Sequence, residues 1–394
     1  MANILVTDGE QRAALAMARS LGAAGHNVLV TSVRGKSLAG SSRHAAAEFS
    51  VPDALIDPTT FAHRIREICR TECAQMLLPV TDASLLAVRD RPEEFGEVIV
   101  PWPDSETIRR VADKVHVLAL ARELGLAVPD QLQITSEAEL EPVQGRLRFP
   151  VVIKPARSLT DAGAIRRQLI VSHAIDPASL RKAVHRYPAS AFPLLLQQRI
   201  VGPGIGIFLL LWQGQTIARF AHRRIREKPP SGGVSVYCES IAIPQDLEAS
   251  SRLLLNRLGW NGVAMVEFKL DREAGKAYLM EINGRFWGSL QLAVDAGVDF
   301  PRLLVAAARG EDPGLVSQYR TGVRSRWWWG DVDQLLARLT KSDAELALPP
   351  DSPGKLRAVL DFLVLWRPGD RSEILRSADP RPFLLETRNW LRRR

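Results

Sequence analysis

Apolar runs of strand length alternate with amphipathic stretches of helix length over the first hundred residues, which is the pattern of a parallel α/β layer. Asn3 to Thr7 reads as a strand, Gln11 to Ala24 as a helix and Asn27 to Ser32 as a second strand. Helix Thr59 to Thr71, strand Gln75 to Val80, helix Asp82 to Arg89 and strand Glu97 to Val100 continue the alternation. Residues 1 to about 105 are therefore expected to form a small Rossmann-like layer. Glu106 to Leu124 follows as one amphipathic helix, with Ile108, Val111, Val115 and Leu118 inward and Asp113 and Lys114 at the border of the stripe. Read locally, Lys114 is a solvated helix lysine.

After Pro129 the spacing changes. A strand near Gln131 and a helix from Ser136 to Val143 lead to FPVVIKP, where Val151 to Ile153 form a strand that Lys154 closes. Strand Gln168 to Ser172, helix Pro177 to Tyr187 and the apolar strand of PLLLQQRIVGPG come next. Ile205 to Trp212 and Gln215 to His222 read as a hairpin about Gln213-Gly214, and Leu247 to Leu258 as a helix.

The most informative pattern is a second hairpin, Val263 to Asp271 and Lys276 to Asn283. Sorting by parity places Ala264, Val266, Phe268 and Leu270 on one face, matched by Tyr278, Met280 and Ile282. The opposite face carries Glu267, Lys269, Glu281 and Asn283, with Arg285 just beyond. Two carboxylates facing each other across a ladder repel, and a cation between them removes the conflict. Magnesium suits one or two carboxylates plus phosphate oxygens, with Asn283 adding an oxygen. A solvated sheet face is the competing reading. Gly288 to Asp295 and Phe300 to Ala308 are then expected as helices.

Other segments offer chemistry that complements such a site. An ammonium at the strand end, Lys154, reaches a nucleotide phosphate, although a strand-edge lysine also blocks aggregation. The strand-to-loop change at Gln198 and Ile200 offers a backbone carbonyl and N–H to a purine in an apolar slot, or is simply a strand-to-turn junction. Arg223, Arg224, Arg226 and Lys228 precede PPSGGVS, a loop whose glycines let backbone N–H groups approach an anion. A solvated basic loop is the alternative there.

Composition narrows the classes. The 394 residues are 46% hydrophobic and 24% charged, ordinary for a globular protein of two or three domains. Cys69, Cys73 and Cys238 form no even framework and read as reduced and structural. MANILVTDGE runs straight into a strand without a basic n-region, and no long apolar run follows. A cytoplasmic protein with no transmembrane segment is expected. The net charge of +8 favours polyanions, but no zinc-finger spacing or aromatic-basic signature supports nucleic acid as the main ligand. The first turn, TDGEQRAA, lacks G-x-G-x-x-G, which argues against a nicotinamide cofactor. From about residue 315 the chain reads SRWWWGDVD, then LPPDSPGK as a linker, then VLDFLVLW and the basic end RNWLRRR. Function is not legible there, and Trp327 to Trp329 are expected to be packed aromatics, with a pocket wall or a membrane contact as the alternatives.

Taken together, Lys114 in ADK, Lys154 in FPVVIKP, the QQRIVG hinge, Glu267 in VEFKLD and MEINGRFWGS resemble the ATP-grasp superfamily in order and spacing. The resemblance covers roughly residues 1 to 310 and is strongest toward carboxylate-amine ligase-like, carbamoyl-phosphate-synthetase-like and biotin-carboxylase-like members. It implies an α/β chain: a Rossmann-like pre-ATP-grasp domain at 1–112, a two-lobed α+β ATP-grasp domain at 113–312 and a C-terminal extension at 313–394. It further implies that Lys114 and Lys154 hold ATP phosphates and that Gln198 and Ile200 hold adenine. Glu267, Glu281 and Asn283 would hold magnesium, for which manganese can substitute. Arg285 would stabilise the transferred phosphoryl alongside Lys154. Arg223, Arg224 and Arg226 are candidates for the bound carboxylate or phosphate. The implied activity is an ADP-forming ligase for a small carboxylate and an amine, in a homodimer, with a non-catalytic ATP-binding protein as the alternative. Two positions depart from the pattern. Gly204 stands where many relatives place a ribose-binding acid, and ARSLTDAG replaces the usual glycine-rich loop.

Overall fold

In the computed structural model, residues 1–160, 166–349, 352–365 and 367–393 are described. Three sheets carry the chain. The first is parallel, in the order Ala47–Ser50, Asn27–Ser32, Asn3–Val6, Met76–Leu78. Alternate residues of its first strand enter different cores: Ile4 and Val6 pack with Leu15 and Leu21, while Leu5 packs with Phe61 and Ile65. Burial on both faces is what makes such strands continuously apolar. The expected strand at 97–100 reduces to a single bridge between Ile99 and Met76, and Ala47–Ser50 is a strand that the apolar pattern did not announce, because its four residues are only partly buried or exposed.

The second sheet is antiparallel, in the order Gln131–Ile134, Leu194–Gln198, Val151–Pro155, Ser172–Ala174. The last of these replaces the strand expected at 168–172. The third and largest runs Ala277–Asn283, Gly262–Leu270, Gly204–Trp212, Gln215–Lys228, Val234–Ser240, Arg324–Arg326, Asp370–Ser372. Phe208, Phe220, Phe268, Phe286 and Phe300 are fully buried in its core, and Trp287 lies 4.2 Å from the Phe208 ring. That core is continuous with one side of the first layer, so the large sheet and the first layer form one packed body.

Two corrections concern elements that carry the site. The helix expected over 106–124 is two helices, Ser105–Ala112 and Lys114–Glu123, broken at Asp113. Asp113 is extended (φ −85°, ψ 106°) and its carboxylate accepts from the N–H groups of Val115 and His116, which is an N-cap. In the acidic hairpin, a β-bulge falls at Met280: Glu267 opposes Glu281, but Phe268 opposes Leu279. The extra residue reverses parity along the second strand. Leu279 therefore takes the core position expected of Tyr278 and Met280, and Met280 turns to the acidic face.

The segment after 313 is woven into this body through its two strands and through contacts with the first layer. Arg12 pairs with Glu373 at 2.5 Å, and Arg19 with Asp379 at 2.8 Å. Trp329 stacks on Trp390 at 4.2 Å, Trp328 packs against Phe362 and Trp327 lies under the Arg12 guanidinium at 4.0 Å, so the three tryptophans are packing residues. Helix Arg381–Leu391 also presents Glu386, whose Oε1 accepts from Trp327 Nε1 at 2.6 Å while Oε2 is buried without a hydrogen-bond partner among the described residues. Burial pushes this carboxyl up to about 7, against the lowering effects of the Trp327 bond and Arg12. Because the folded value lies above the unfolded one, the stabilisation from protonating Glu386 is full below pH 4.5 and is lost as pH rises through about 7. The melting temperature of the natural chain minus that of Glu386→Gln is therefore expected to fall between pH 5 and 8. A pH-independent difference in paired thermal melts would refute this. Among the described residues no helix is long and apolar enough to cross a membrane.

Candidate active site

The second sheet and the largest sheet face each other across a cleft of about 430 Å³. Lys114, Lys154, Gln198, Ile200, Arg224, Glu267, Glu281, Asn283 and Arg285 all line it, drawn from positions up to 171 residues apart (285 − 114). Arg223 and Arg226 do not. Arg223 points to the opposite face of its strand and pairs with Glu239 at 2.7 Å, and Arg226 forms a fork with the buried carboxylate of Asp331. Strand alternation places Arg223 on the face opposite Arg224, and although Arg226 has the same nominal parity as Arg224, register shifts on either side of it redirect its side chain.

Lys114 is brought in by the helix break. Its N–H donates to the Ala156 carbonyl at 2.8 Å, pinning the helix start beside the strand that carries Lys154. The side chain is buried, and Nζ donates to Ser158 Oγ at 3.1 Å and lies 3.5 Å from Glu281 Oε2. A cation in the first turn opposes the helix dipole, so the position costs stability that an anion would recover. Lys154 Nζ lies 3.9 Å from Met280 Sδ, the residue that the bulge turned inward. Burial pulls the Lys154 ammonium below the ordinary lysine range, opposed by Glu281 and reinforced by Lys114.

The carboxylates respond in opposite directions. Burial would raise Glu281, but Lys114 and Lys154, with the Asn283 hydrogen bond and Arg224, outweigh it and hold this carboxyl well below the usual range. Glu267 is raised by burial, with Glu281 and Glu227 adding to the effect and Arg224 opposing it. Arg224 binds Glu267 through both terminal nitrogens, and its Nη1 also bonds Glu227 at 2.7 Å and the Gly233 carbonyl at 3.0 Å. The glycine at 204 belongs to this arrangement: a Cβ there would lie 3.0 Å from Arg224 Cδ. Where relatives are expected to carry an acid, this chain passes a buried arginine.

The end of the hairpin is held to the first layer. Asn283 Nδ2 donates to Glu281 Oε1 at 3.2 Å, Arg285 Nη2 donates to Asn283 Oδ1 at 3.3 Å, and Arg285 Nε donates to Asp82 Oδ2 at 2.9 Å. Trp102 Nε1 donates to the Gly284 carbonyl at 3.0 Å, and any Cβ at 284 would collide with the Trp260 ring at 2.3 Å. Asp82 and Arg12, both lining the cleft from the first layer, were missed by the sequence reading. The available signal for Asp82 was Thr81-Asp82-Ala83-Ser84 following an apolar parallel strand, since Thr81 and Ser84 form a capping box there and ligands gather at such strand ends. The loop at 231–235 also lines the cleft, as PPSGGVS suggested. Part of ARSLTDAG lies outside the described residues. Gln198 donates its N–H to the Asp130 carbonyl at 2.8 Å, and the buried Ile200 follows at the wall of the cleft.

A Rossmann-like layer, an antiparallel sheet facing a larger mixed sheet, and a cleft with lysines on one wall and paired carboxylates on the other give the chain an ATP-grasp fold. Residues 190–329 match a family model described as ATP-grasp in the biosynthetic pathway with Ter operon. A candidate D-alanine–D-lactate ligase of Streptomyces coelicolor is 28% identical over 188 residues, 43% of this chain and 51% of that protein. The chain thus matches about half the length of this curated relative. Among solved structures, the biotin carboxylase domain of Hydrogenobacter thermophilus 2-oxoglutarate carboxylase, a dimer in complex with MgADP, ADP and bicarbonate, superposes with a TM-score of 0.65 at 16% identity. That match covers 82% of this chain and 73% of the other. The L-amino acid ligase of Bacillus licheniformis gives 0.62 at 17% identity, covering 78% and 74%.

Proposed function

We propose that this chain is a magnesium-dependent ligase that phosphorylates a carboxylate with ATP and joins the acyl phosphate to an amine or similar nucleophile, releasing ADP and phosphate. The observation that carries the reading is the convergence of Lys114, Lys154, Glu267, Glu281, Asn283 and Arg285 on one cleft. Lys154 and Lys114 neutralise phosphate oxygens, and backbone groups of Gln198 and Ile200 hold the base. Glu267, Glu281 and Asn283 fit a hard cation, being two carboxylate groups and an amide oxygen within one side-chain layer. The cation, magnesium or manganese, supplies charge compensation between the phosphates. Arg285, held by Asp82, meets charge that develops on the transferred phosphoryl.

The carboxylate oxygen attacks the γ-phosphorus as the bond to the bridging oxygen breaks and ADP leaves. The nucleophile then attacks the acyl carbon, loses a proton and expels phosphate. Water destroys such an anhydride, so the loop at 231–235 serves as a lid over this part of the cleft. In this reading residues 1–112, 113–312 and 313–394 are the pre-ATP-grasp domain, the ATP-grasp domain and a C-terminal extension, in a cytoplasmic homodimer. With the correct acid, ATP and magnesium, hydroxylamine is expected to yield a hydroxamate with ADP as coproduct. AMP and pyrophosphate would instead identify an adenylating enzyme and defeat the proposal.

One observation favours a second reading, an ATP-binding protein without turnover: Arg224 occupies the Glu267 carboxylate that a metal needs. ADP release screened across amino acids and small acids separates the two. Binding of ATP without ADP formation for any pair of substrates would favour the second.

A further inference from the structure

A second cavity of about 410 Å³ lies along the Arg199–Pro203 segment, walled by the end of strand Gln215–Lys228 and by helices Trp328–Thr340 and Lys355–Leu363. No step of the proposed reaction uses it. Eight of its described lining residues are Arg or Lys and two, Glu227 and Asp361, are acidic. Some of this charge is compensated locally: Arg224 by Glu267 and Glu227, Arg226 by Asp331, and Arg357 by Asp361 at 3.1 Å. The side chains of Arg199, Lys269 and Arg367 form no ion pair with a carboxylate among the described residues, and Arg199 turns its guanidinium to the Ala347 carbonyl instead. Arg338, only 4% exposed, donates to the Pro353 carbonyl, and its nearest carboxylate, Asp343 at 3.5 Å, is itself largely exposed to solvent.

Cations converging on a concave surface focus a positive potential there, and guanidinium forks are suited to phosphate and carboxylate groups. A simple solvated basic surface would leave its arginines extended into water, whereas Arg338 is buried and Arg199 is half-buried behind the hinge. We propose that this cavity binds a small polyanion, a ligand carrying phosphate or several carboxylate groups, at a site distinct from the lysine and carboxylate cluster of the first cleft. The two cavities share Arg199, Ile200, Arg224, Glu227, Ser231 and Lys269. Its occupant therefore acts on the hinge and the lid loop, and any effect on nucleotide affinity is reciprocal.

Calorimetry on the full chain without divalent metal tests this, with inorganic pyrophosphate and citrate as separate probes. At least one probe is expected to bind, and Arg357→Ala/Arg367→Ala, whose residues line only the second cavity, is expected to weaken it by roughly tenfold or more. Arg357→Lys/Arg367→Lys should retain most of the affinity, and Lys114→Met/Lys154→Met should leave it unchanged. Pyrophosphate alone would mark a phosphate site and citrate alone a polycarboxylate site. If neither binds at millimolar concentration, the proposal falls. It falls equally if affinity is lost in the lysine variant and kept in the arginine variant, since binding would then belong to the first cleft. Should the double alanine variant unfold, Arg367→Gln alone, at a partly exposed position, decides by the same readout.

Discussion

Glu281→Gln is expected to lower ADP production by roughly 10²–10³-fold at saturating magnesium while leaving the chain folded. Glu281 stands where three demands meet: it lies 3.5 Å from Lys114, accepts from Asn283 at 3.2 Å and opposes Glu267 across the ladder. The amide keeps the shape and one acceptor but removes the charge that holds two ammonium groups close and that a cation needs. Affinity for the metal-nucleotide pair falls with it, because a hard cation bound through a carboxylate gains far more than through a neutral oxygen. The side chain is 29% exposed at the cleft wall, so the substitution leaves no sealed cavity, and Lys114 keeps its hydrogen bond to Ser158. Steady-state ADP release at several magnesium concentrations, with a thermal melt of the same sample, makes the comparison. Near-normal turnover in a folded variant would show that the metal-phosphate site has been placed wrongly.

How much of this was legible depended on whether the relevant order was local. Glu267, Glu281 and Asn283 could be read because strand alternation is a two-residue rule that the residues themselves display. The same rule failed at Tyr278 and Met280, since a bulge inserts one residue without a marker in that stretch; no glycine or proline stands at 277–283. Lys114 looked solvated because its burial depends on Ala156 and Ser158, more than forty residues away, and on a helix break that Asp113 creates as a cap. Asp113 reads as an ordinary polar residue of the continuous amphipathic stripe, and that stripe hides the break.

The arginines illustrate the same limit. RRIRE offers four charges in five positions, and nothing within it tells which side chain faces the cleft. The answer lies in partners far along the chain: Glu239 for Arg223, Glu267 for Arg224 and Asp331 for Arg226. The C-terminal segment was opaque for a related reason. Its strands Arg324–Arg326 and Asp370–Ser372 have three residues each, too short for a period to show, and they exist because they extend a sheet already formed by the rest of the chain. Asp82 was accessible in principle, as a capped helix start at the end of a parallel strand, but its pairing with Arg285 across 203 residues was not.

Arg224→Met is expected to destabilise the metal-free protein by about 3–5 kcal/mol, the usual cost of removing one partner from a buried pair. Arg224 and Glu267 are 10% and 12% exposed, and directly opposite Glu267 stands Glu281. Without the guanidinium, Glu267 loses the group that counters its burial and faces a second carboxylate, so it takes up a proton or the hairpin distorts. Methionine keeps most of the side-chain volume beside Gly204, which separates the charge effect from a packing defect. Magnesium then provides the decisive contrast. In the proposed site the cation competes with Arg224 for Glu267 in the natural chain, whereas in the variant that carboxylate is open to it. Adding magnesium with ADP should therefore raise the melting temperature of Arg224→Met by more than it raises that of the natural chain, because a ligand that binds only the folded state stabilises it in proportion to its affinity. Equal shifts in the two proteins would mean that Arg224 does not occupy the metal position, and that its pair with Glu267 persists when the cleft is filled.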